Sequence, residues 1–552
     1  MEAALRPSRN YVVLAFIAVF CVAAFAFFWN LGVNPIANAD EGVHALVTRE
    51  MRENGDWMTM HIRGEFYFRK PPLSFWIRAA TQTVFGENEF TDRLPSALAG
   101  LGTVMLVAAW AWVWTRKPLA VFASGSILAL APSTFMHTFR TGETDGVLLF
   151  LLTLAAFLLW RSLKKPWLLV AASGAIGLAF MTKSVASGVV PIGFLLALAI
   201  HRRWPYRWKH VLTAAGLFLA VVVPWHAYEF TKHGKLFWDE YVGFHILQRV
   251  ETRLHITPQQ HGPFWYLKGV GQAMFPWAWL VVPAAAYAVT KIKRRPAPYG
   301  AGRRDETTFP ETFLLTWGVG TVVLFSLAAT KLPWYVAPAF PAFALLVGRF
   351  VTTPFTSFPR LLRWLIGLSV IGYLVDSFMQ YRTGLSKILS LAVVSPYIAV
   401  AAVIVVVAVA LALAYRRSPD LGRKALTAVA AALLLHMALM SLVVFSRNLR
   451  MTDENPFRVF RNEIAARDAH AAVYIFDIGY ITSPLSAIYW EGPDHARQVT
   501  ALRENQAALY AVVAEKTGAF IIAETQRQFS SEISTKLSRI SNYGKLSLYR
   551  VL

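Results

Sequence analysis

Blocks of about twenty apolar residues recur along this 552-residue chain and constrain its fold more than any other feature. A helix of that length crosses the hydrocarbon of a bilayer. Backbone amides in hydrocarbon must be satisfied within their own segment, so such blocks become helices and irregular backbone is pushed to the interfaces. The blocks lie near 11–31, 96–115, 118–136, 146–163, 167–182, 186–200, 210–227, 270–290, 312–329, 335–351, 363–384, 393–415 and 425–446. The pattern predicts a mainly α, polytopic membrane protein of about 13 transmembrane helices. Arg6 and Arg9 precede the first block, which is longer than a signal-peptide core and lacks a small-residue cleavage site, so it reads as a retained helix.

Lys and Arg number 54 against 32 Asp and Glu, a formal charge of +22. In a soluble protein that balance points towards nucleic acid. Here the cations fall in short loops between apolar blocks, where they set orientation and meet anionic headgroups, and nucleic acid is not an expected partner. Arg116 and Lys117; Arg161, Lys164 and Lys165; Arg202, Arg203, Arg207 and Lys209; Lys291, Lys293, Arg294 and Arg295; Arg349 and Arg360; and Arg416, Arg417, Arg423 and Lys424 occupy alternate loops. The positive-inside rule then puts the N-terminus inside and the C-terminus outside.

That orientation leaves two long outer loops, 32–95 and 228–269, and a short one at 137–145, all richer in acids, His and aromatics than the inner loops. The pair of blocks at 167–200 is interrupted by Thr182-Lys183-Ser184, a broken or re-entrant pair whose Lys183 either faces a cavity or snorkels. After Arg447 the composition becomes that of a soluble domain. Short β-rich runs at Val473–Phe476, Ile488–Trp490, Phe520–Ala523 and Leu546–Val551 surround helical stretches near 501–516 and 527–538. We therefore expect a transmembrane catalytic domain over 1–450 and a small α/β domain over 451–552. The single Cys21 lies in the first apolar block and excludes an intramolecular disulfide. No metal-binding cysteine pattern, phosphate-cradling glycine loop or internal repeat is present.

Chemistry-bearing residues gather in the outer loops. Asp40 and Glu41 open an interfacial helix that also carries His44. Asp40 is either an N-cap or a base for an attacking acceptor oxygen. Tyr67-Phe68-Arg69-Lys70-Pro71-Pro72 sets two cations beside a rigid turn, suited to a lipid phosphate or merely to headgroups. Asp145 precedes an apolar helix, near His137 and Arg140. Arg249, His261 to Tyr266, and Lys331 to Tyr335 complete a set of acids, cations and aromatics returning to one side of the membrane.

The order of these motifs resembles the GT-C superfamily of polyprenyl-phosphate-sugar glycosyltransferases, which includes protein mannosyltransferases and lipid A aminoarabinose transferases. The resemblance covers roughly residues 1–350. It rests on the early Asp-Glu pair, the Lys-Pro turn ahead of Phe75-Trp76, Leu178 to Ser184, His261 to Tyr266, and Lys331-Leu332-Pro333. It implies inverting transfer from an undecaprenyl-phosphate sugar to an envelope acceptor, foremost lipid A or lipopolysaccharide and secondly protein. The place would be the periplasmic face of the bacterial inner membrane, where the C-terminal domain would also lie.

By matching motifs, Asp40 would be the acid-base or acceptor-orienting residue, supported by Asp145 and Glu41. Lys70, Arg249 and Arg69 would hold the donor phosphate, and His44, Tyr67, Lys183, His261, Tyr266, Lys331 and Tyr335 would line the substrate site. No cofactor is expected, and a divalent metal has no support beyond three loop histidines, His245, His255 and His261. Arg69 stands where aminoarabinose transferases commonly carry Glu, and it favours a neutral or acidic donor sugar over a cationic one. All of this supposes that Asp40, Lys70 and Arg249 share one cavity beside a groove for a prenyl chain. A transporter is the reading from another class, but it would put ionisable groups mid-span rather than at loop ends.

Overall fold

The structure is a computed structural model. It describes residues 9–34, 36, 40–248, 262, 264–293, 308–328, 331–354, 357–385, 437, 456–468, 471–476, 499–503, 506–525, 529–543 and 546–552. The chain divides into two compact units, one formed by 1–29, 97–140 and 145–450, the other by 30–96, 141–144 and 451–552.

The first unit is helical: α1 (Arg9–Phe28), the body of α4 (Glu89–Thr115), α5 (Pro118–Ala129), α6 (Asp145–Ser162), α7 (Leu168–Phe180), α8 (Val189–Ile200), α9 (Trp208–His233), α10 (Trp265–Ala273), α11 (Ala278–Lys293), α12 (Phe309–Leu327), α13 (Phe340–Val351) and α14 (Arg360–Leu385). Among the described residues, six helices are long and apolar enough to cross a membrane, and seven if α10 and α11, bent by 112° at Pro276, form one span. The chain is a multi-pass membrane protein. The expected spans 393–415 and 425–446 lie outside the described residues. Three others are shorter than expected, α5, α7 and α8. Helix α5 stops at Ala129 because Pro132 disfavours helical backbone just before it, and a turn over Thr134–Thr138 follows.

Without a hydrophobic drive between helices in lipid, packing depends on close approach and shape. Gly193 on α8 shows this, since a Cβ there would lie 2.8 Å from Trp317 Cα. The buried Trp110 ring stacks on Trp160 at 5.4 Å and on Trp317 at 6.3 Å, tying α4, α6 and α12. The break between α7 and α8 is real, with a 3₁₀ turn over Val185–Gly188.

The second unit contains α2 (Asp40–Asn54), the hairpin β1 (His61–Ile62) and β2 (Glu65–Phe66), α3 (Leu73–Phe85) and the start of α4. It then takes up α15 (Pro456–Arg467), β3 (Val473–Phe476), β4 (Val499–Arg503), α16 (Gln506–Glu515), β5 (Phe520–Glu524), β6 (Leu537–Tyr543) and β7 (Leu546–Val551). The sheet order is β4-β3-β5-β7-β6, parallel across β4, β3 and β5 and antiparallel beyond. Side chains alternate between its faces. Val473, Ile475, Phe520, Ile522, Leu546 and Leu548 pack with Phe460 and Ile464 of α15, whereas Phe476, Ile521, Ala523, Tyr549 and Val551 pack with Leu509, Val512 and Val513 of α16. Ile36 and Ala45 join the α15 face, so the first outer loop is cored together with the C-terminal domain. The helices expected over 501–516 and 527–538 are instead a strand then a helix, and a short turn of helix (Ser531–Ser534) then a strand. The strand expected at 488–490 lies outside the described residues.

Candidate active site

Within the second unit, Asp40 and Glu41 fall in the first turn of α2, where carboxylates complement the helix dipole. Successive helical residues point about 100° apart, and these two part company. The Glu41 side chain is 1% exposed and the Asp40 side chain 50%. Glu41 receives a two-pronged guanidinium contact from Arg93, Nε to Oε1 at 2.7 Å and Nη2 to Oε2 at 3.0 Å. Arg93 Nη1 also donates to the carbonyls of Leu31 (3.0 Å) and Asn34 (2.7 Å). Gly142 N–H donates to Glu41 Oε1 at 2.8 Å, while Arg78 donates both to Gly142 O and to Asp92. A Cβ at Gly142 would overlap Asp92 Oδ2 and lie 2.8 Å from Arg78 Nη2, so only glycine fits between the two ion pairs. Glu41 therefore braces the loop 141–144 against α2 rather than facing outward.

Asp40 meets different company. Lys70 Nζ lies 3.4 Å from Asp40 Oδ2 and 2.8 Å from His44 Nε2. Pro71 and Pro72 stiffen the turn that carries Lys70, and Pro72 caps α3. The His44 ring stands edge-on to Phe75 at 5.2 Å. Tyr67 is buried, packs edge-on to the same Phe75 at 5.8 Å, and lies under the Arg69 guanidinium at 5.9 Å. An acid and a histidine thus flank the Lys70 ammonium, with a second cation, Arg69, on the same turn.

Within the first unit, Asp145 opens α6 and accepts Lys183 Nζ at 2.9 Å. Lys183 also sits 5.1 Å from the Tyr335 ring centroid, a cation–π contact. The His137 ring packs on Trp334 at 4.3 Å, and one of its nitrogens comes within 4.8 Å of an Asp145 oxygen. Tyr266 is fully buried, its hydroxyl donating to Leu332 O at 3.0 Å and accepting Leu332 N–H at 3.1 Å. Lys331 donates to Ala328 O at 2.7 Å, at the C-terminus of α12. Tyr266 and Lys331 accordingly pin the segment that presents Tyr335. Arg249 and His261 lie outside the described residues, as do His255 and the side chain of His245.

The residues that hold these groups escaped the sequence reading. Ser184, beside Lys183, donates to the Tyr241 hydroxyl. His226 Nδ1 lies 2.8 Å from Val222 O, which can only accept, so Nδ1 carries the proton and Nε2 accepts from Tyr241 at 3.1 Å. Burial pushes the Tyr241 phenol up to about 12, against the bond from Ser184. The relay ties α9 and the turn after it to the α7–α8 break. A trace of the other brace was visible, in the charged Asp92-Arg93 pair at the mouth of an apolar block.

Residues 69–228 match the dolichyl-phosphate-mannose-protein mannosyltransferase family. The chain is 29% identical over 352 residues to an undecaprenyl phosphate-α-4-amino-4-deoxy-L-arabinose arabinosyl transferase of Sodalis glossinidius, covering 61% of this chain and 60% of the relative. It is 29% identical to one from Pectobacterium atrosepticum (69% and 70% covered) and 30% identical to one from Pseudomonas aeruginosa (56% and 54% covered). The chain thus spans little more than half the length of several of the curated relatives it matches. Its fold is that of ArnT from Cupriavidus metallidurans, solved bound to undecaprenyl phosphate, with a TM-score of 0.69, 19% identity and 98% of each chain covered.

Proposed function

We propose that this chain is a GT-C superfamily enzyme akin to the aminoarabinose transferases it resembles, and that it transfers a sugar from undecaprenyl phosphate to an envelope acceptor, foremost lipid A or lipopolysaccharide, with inversion at the anomeric carbon. The observation that carries the reading is the Lys70 ammonium held between Asp40 and His44, on a proline-stiffened turn. In the reaction the acceptor oxygen attacks the anomeric carbon and its proton passes to the Asp40 carboxylate. The bond from the sugar to the phosphate oxygen breaks, and the electron pair leaves with the lipid phosphate. Fixed cations stabilise that developing charge, Lys70 foremost, with Arg69 beside it and Arg249 in the role the resemblance gives it. The resemblance gives Asp145, paired with Lys183 in the first unit, a supporting role.

No cofactor enters this scheme, because the leaving group is already a phosphate and a lysine meets its charge. Transfer is therefore expected to survive chelation with EDTA. The face of action is the periplasmic side of the bacterial inner membrane, following the distribution of inner-loop cations. Arg69, packed over Tyr67 next to Lys70, leaves the turn doubly positive, which favours a neutral hexose or a uronic acid as the donated sugar. The match of residues 69–228 to protein mannosyltransferases favours protein as the second acceptor. Purified protein given a panel of polyprenyl-phosphate sugars, with lipid A or a peptide as acceptor, tests all of this by product mass. Preference for the cationic aminoarabinose would overturn the sugar assignment, and absence of any transfer would overturn the activity.

A further inference from the structure

His44 makes a contact that sugar transfer itself does not demand. Its Nε2 lies 2.8 Å from Lys70 Nζ. An ammonium carries three hydrogens and no lone pair, so Lys70 donates, and the imidazole nitrogen facing it accepts. While this bond stands, His44 is a neutral ring protonated at Nδ1. A second hydrogen of Lys70 is directed to Asp40 Oδ2 at 3.4 Å. Two of the three N–H directions are thereby taken, and the third defines one line along which an anion is met. The histidine is well seated for this work: it is 1% exposed, its ring abuts Phe75, and its carbonyl accepts the Thr48 hydroxyl at 2.7 Å.

We propose that His44 is a positioning residue for Lys70, aiming the third N–H of the ammonium at the phosphoryl oxygen of the polyprenyl-phosphate donor, and that it does so only as neutral imidazole. The inference rests on the reading of Lys70 as the donor-phosphate cation. Ionisable groups on the surrounding elements are Asp40, Glu41, Arg49, Glu50, Arg52 and Glu53 on the same helix, His61 on β1, Arg69 and Lys70 on the turn, and Arg78 on α3. Glu41 is engaged by Arg93, Arg49 by Glu87, and Arg78 by Asp92, while Nε2 itself faces the Lys70 charge. Proton uptake by His44 turns Nε2 from acceptor to donor and sets two positive charges against each other. Lys70 then loses its second anchor, and donor affinity falls as the pH drops.

Donor KM and kcat of the full chain in lipid nanodiscs, followed over the range in which imidazoles change charge, about pH 5 to 8, test the proposal. The wild type shows donor KM rising several-fold on the acid side. His44→Gln, whose amide oxygen accepts without titrating, flattens that rise to within about twofold. His44→Phe, which packs on Phe75 but cannot accept, has a raised donor KM at every pH. Binding of undecaprenyl phosphate alone, which needs no turnover, weakens in acid several-fold more in the wild type than in His44→Gln, the second ionisation of the lipid phosphate adding the same limb to both. Thermal unfolding checks that each variant is folded. A His44→Gln protein that keeps the wild-type acid limb in binding, or a folded His44→Phe protein with wild-type affinity at pH 8, overturns the role of His44. Binding with the expected pattern but without sugar transfer overturns only the transferase reading, and no binding of the lipid phosphate overturns both.

Discussion

Asp40 and Glu41 are neighbours in the chain yet perform different work, because a helix turns one towards an ammonium at a partly open surface and the other into a closed ion pair. Their substitutions should separate accordingly. Asp40→Asn should fold as the wild type, yet lower kcat by roughly 10²–10⁴-fold, the usual scale of a lost general base. Arg93→Ala strands a buried carboxylate and should cost about 3–5 kcal/mol of stability, read as a lowered unfolding transition. Gly142→Ala should act in the same direction, since its Cβ enters the space of Asp92. The carboxylate pair was legible in the sequence, but its division of labour was not. Which of two adjacent acids is buried depends on Arg93, 52 residues downstream.

The α7–α8 break is the element whose meaning lay half in the sequence. Thr182-Lys183-Ser184 interrupts an apolar pattern and so announced itself, whereas its anchors, Tyr241 and His226, come from a segment that reads as ordinary aromatic belt. Tyr241→Phe removes both hydrogen bonds of the hydroxyl, to His226 and from Ser184, while keeping the ring, and should lower kcat by about fivefold, the equivalent of roughly 1 kcal/mol, by loosening the seat of Lys183. If kcat is unchanged, the relay does not position the Lys183–Asp145 pair. The strands divide in a similar way. Central β3, β5 and β7 were readable from their apolar runs, while β4 and β6 were not recognised as strands, the expected helices running over Ala501–Arg503 and Leu537–Ser538. Both misread strands pair with a neighbour on one side only, and edge strands such as Val499–Arg503 and Leu537–Tyr543 carry polar residues that dilute the β signal.

At the scale of the whole molecule, apolar block length was enough to fix membrane embedding, because hydrocarbon thickness is a stringent ruler. It was a poorer guide to how the chain divides. Residues 30–96 look like a loop of the membrane part, but Ile36 and Ala45 complete the core of the C-terminal domain, a pairing across some 400 residues that no local pattern encodes. Ile522→Ala, deep in that core, should cost about 2–5 kcal/mol. Because α2 is cored with the same sheet, the substitution should also lower transfer at temperatures where the unit begins to open.

The central claim is that this chain moves a sugar from a polyprenyl phosphate by way of the Asp40–Lys70 site. Its most direct test is the mass spectrum of products formed from a polyprenyl-phosphate sugar and lipid A by the wild type, Asp40→Asn and Lys70→Ala proteins. One added sugar mass with the wild type, matched by released polyprenyl phosphate and lost in both variants, is the predicted result. An acceptor mass that is the same with all three proteins would contradict it.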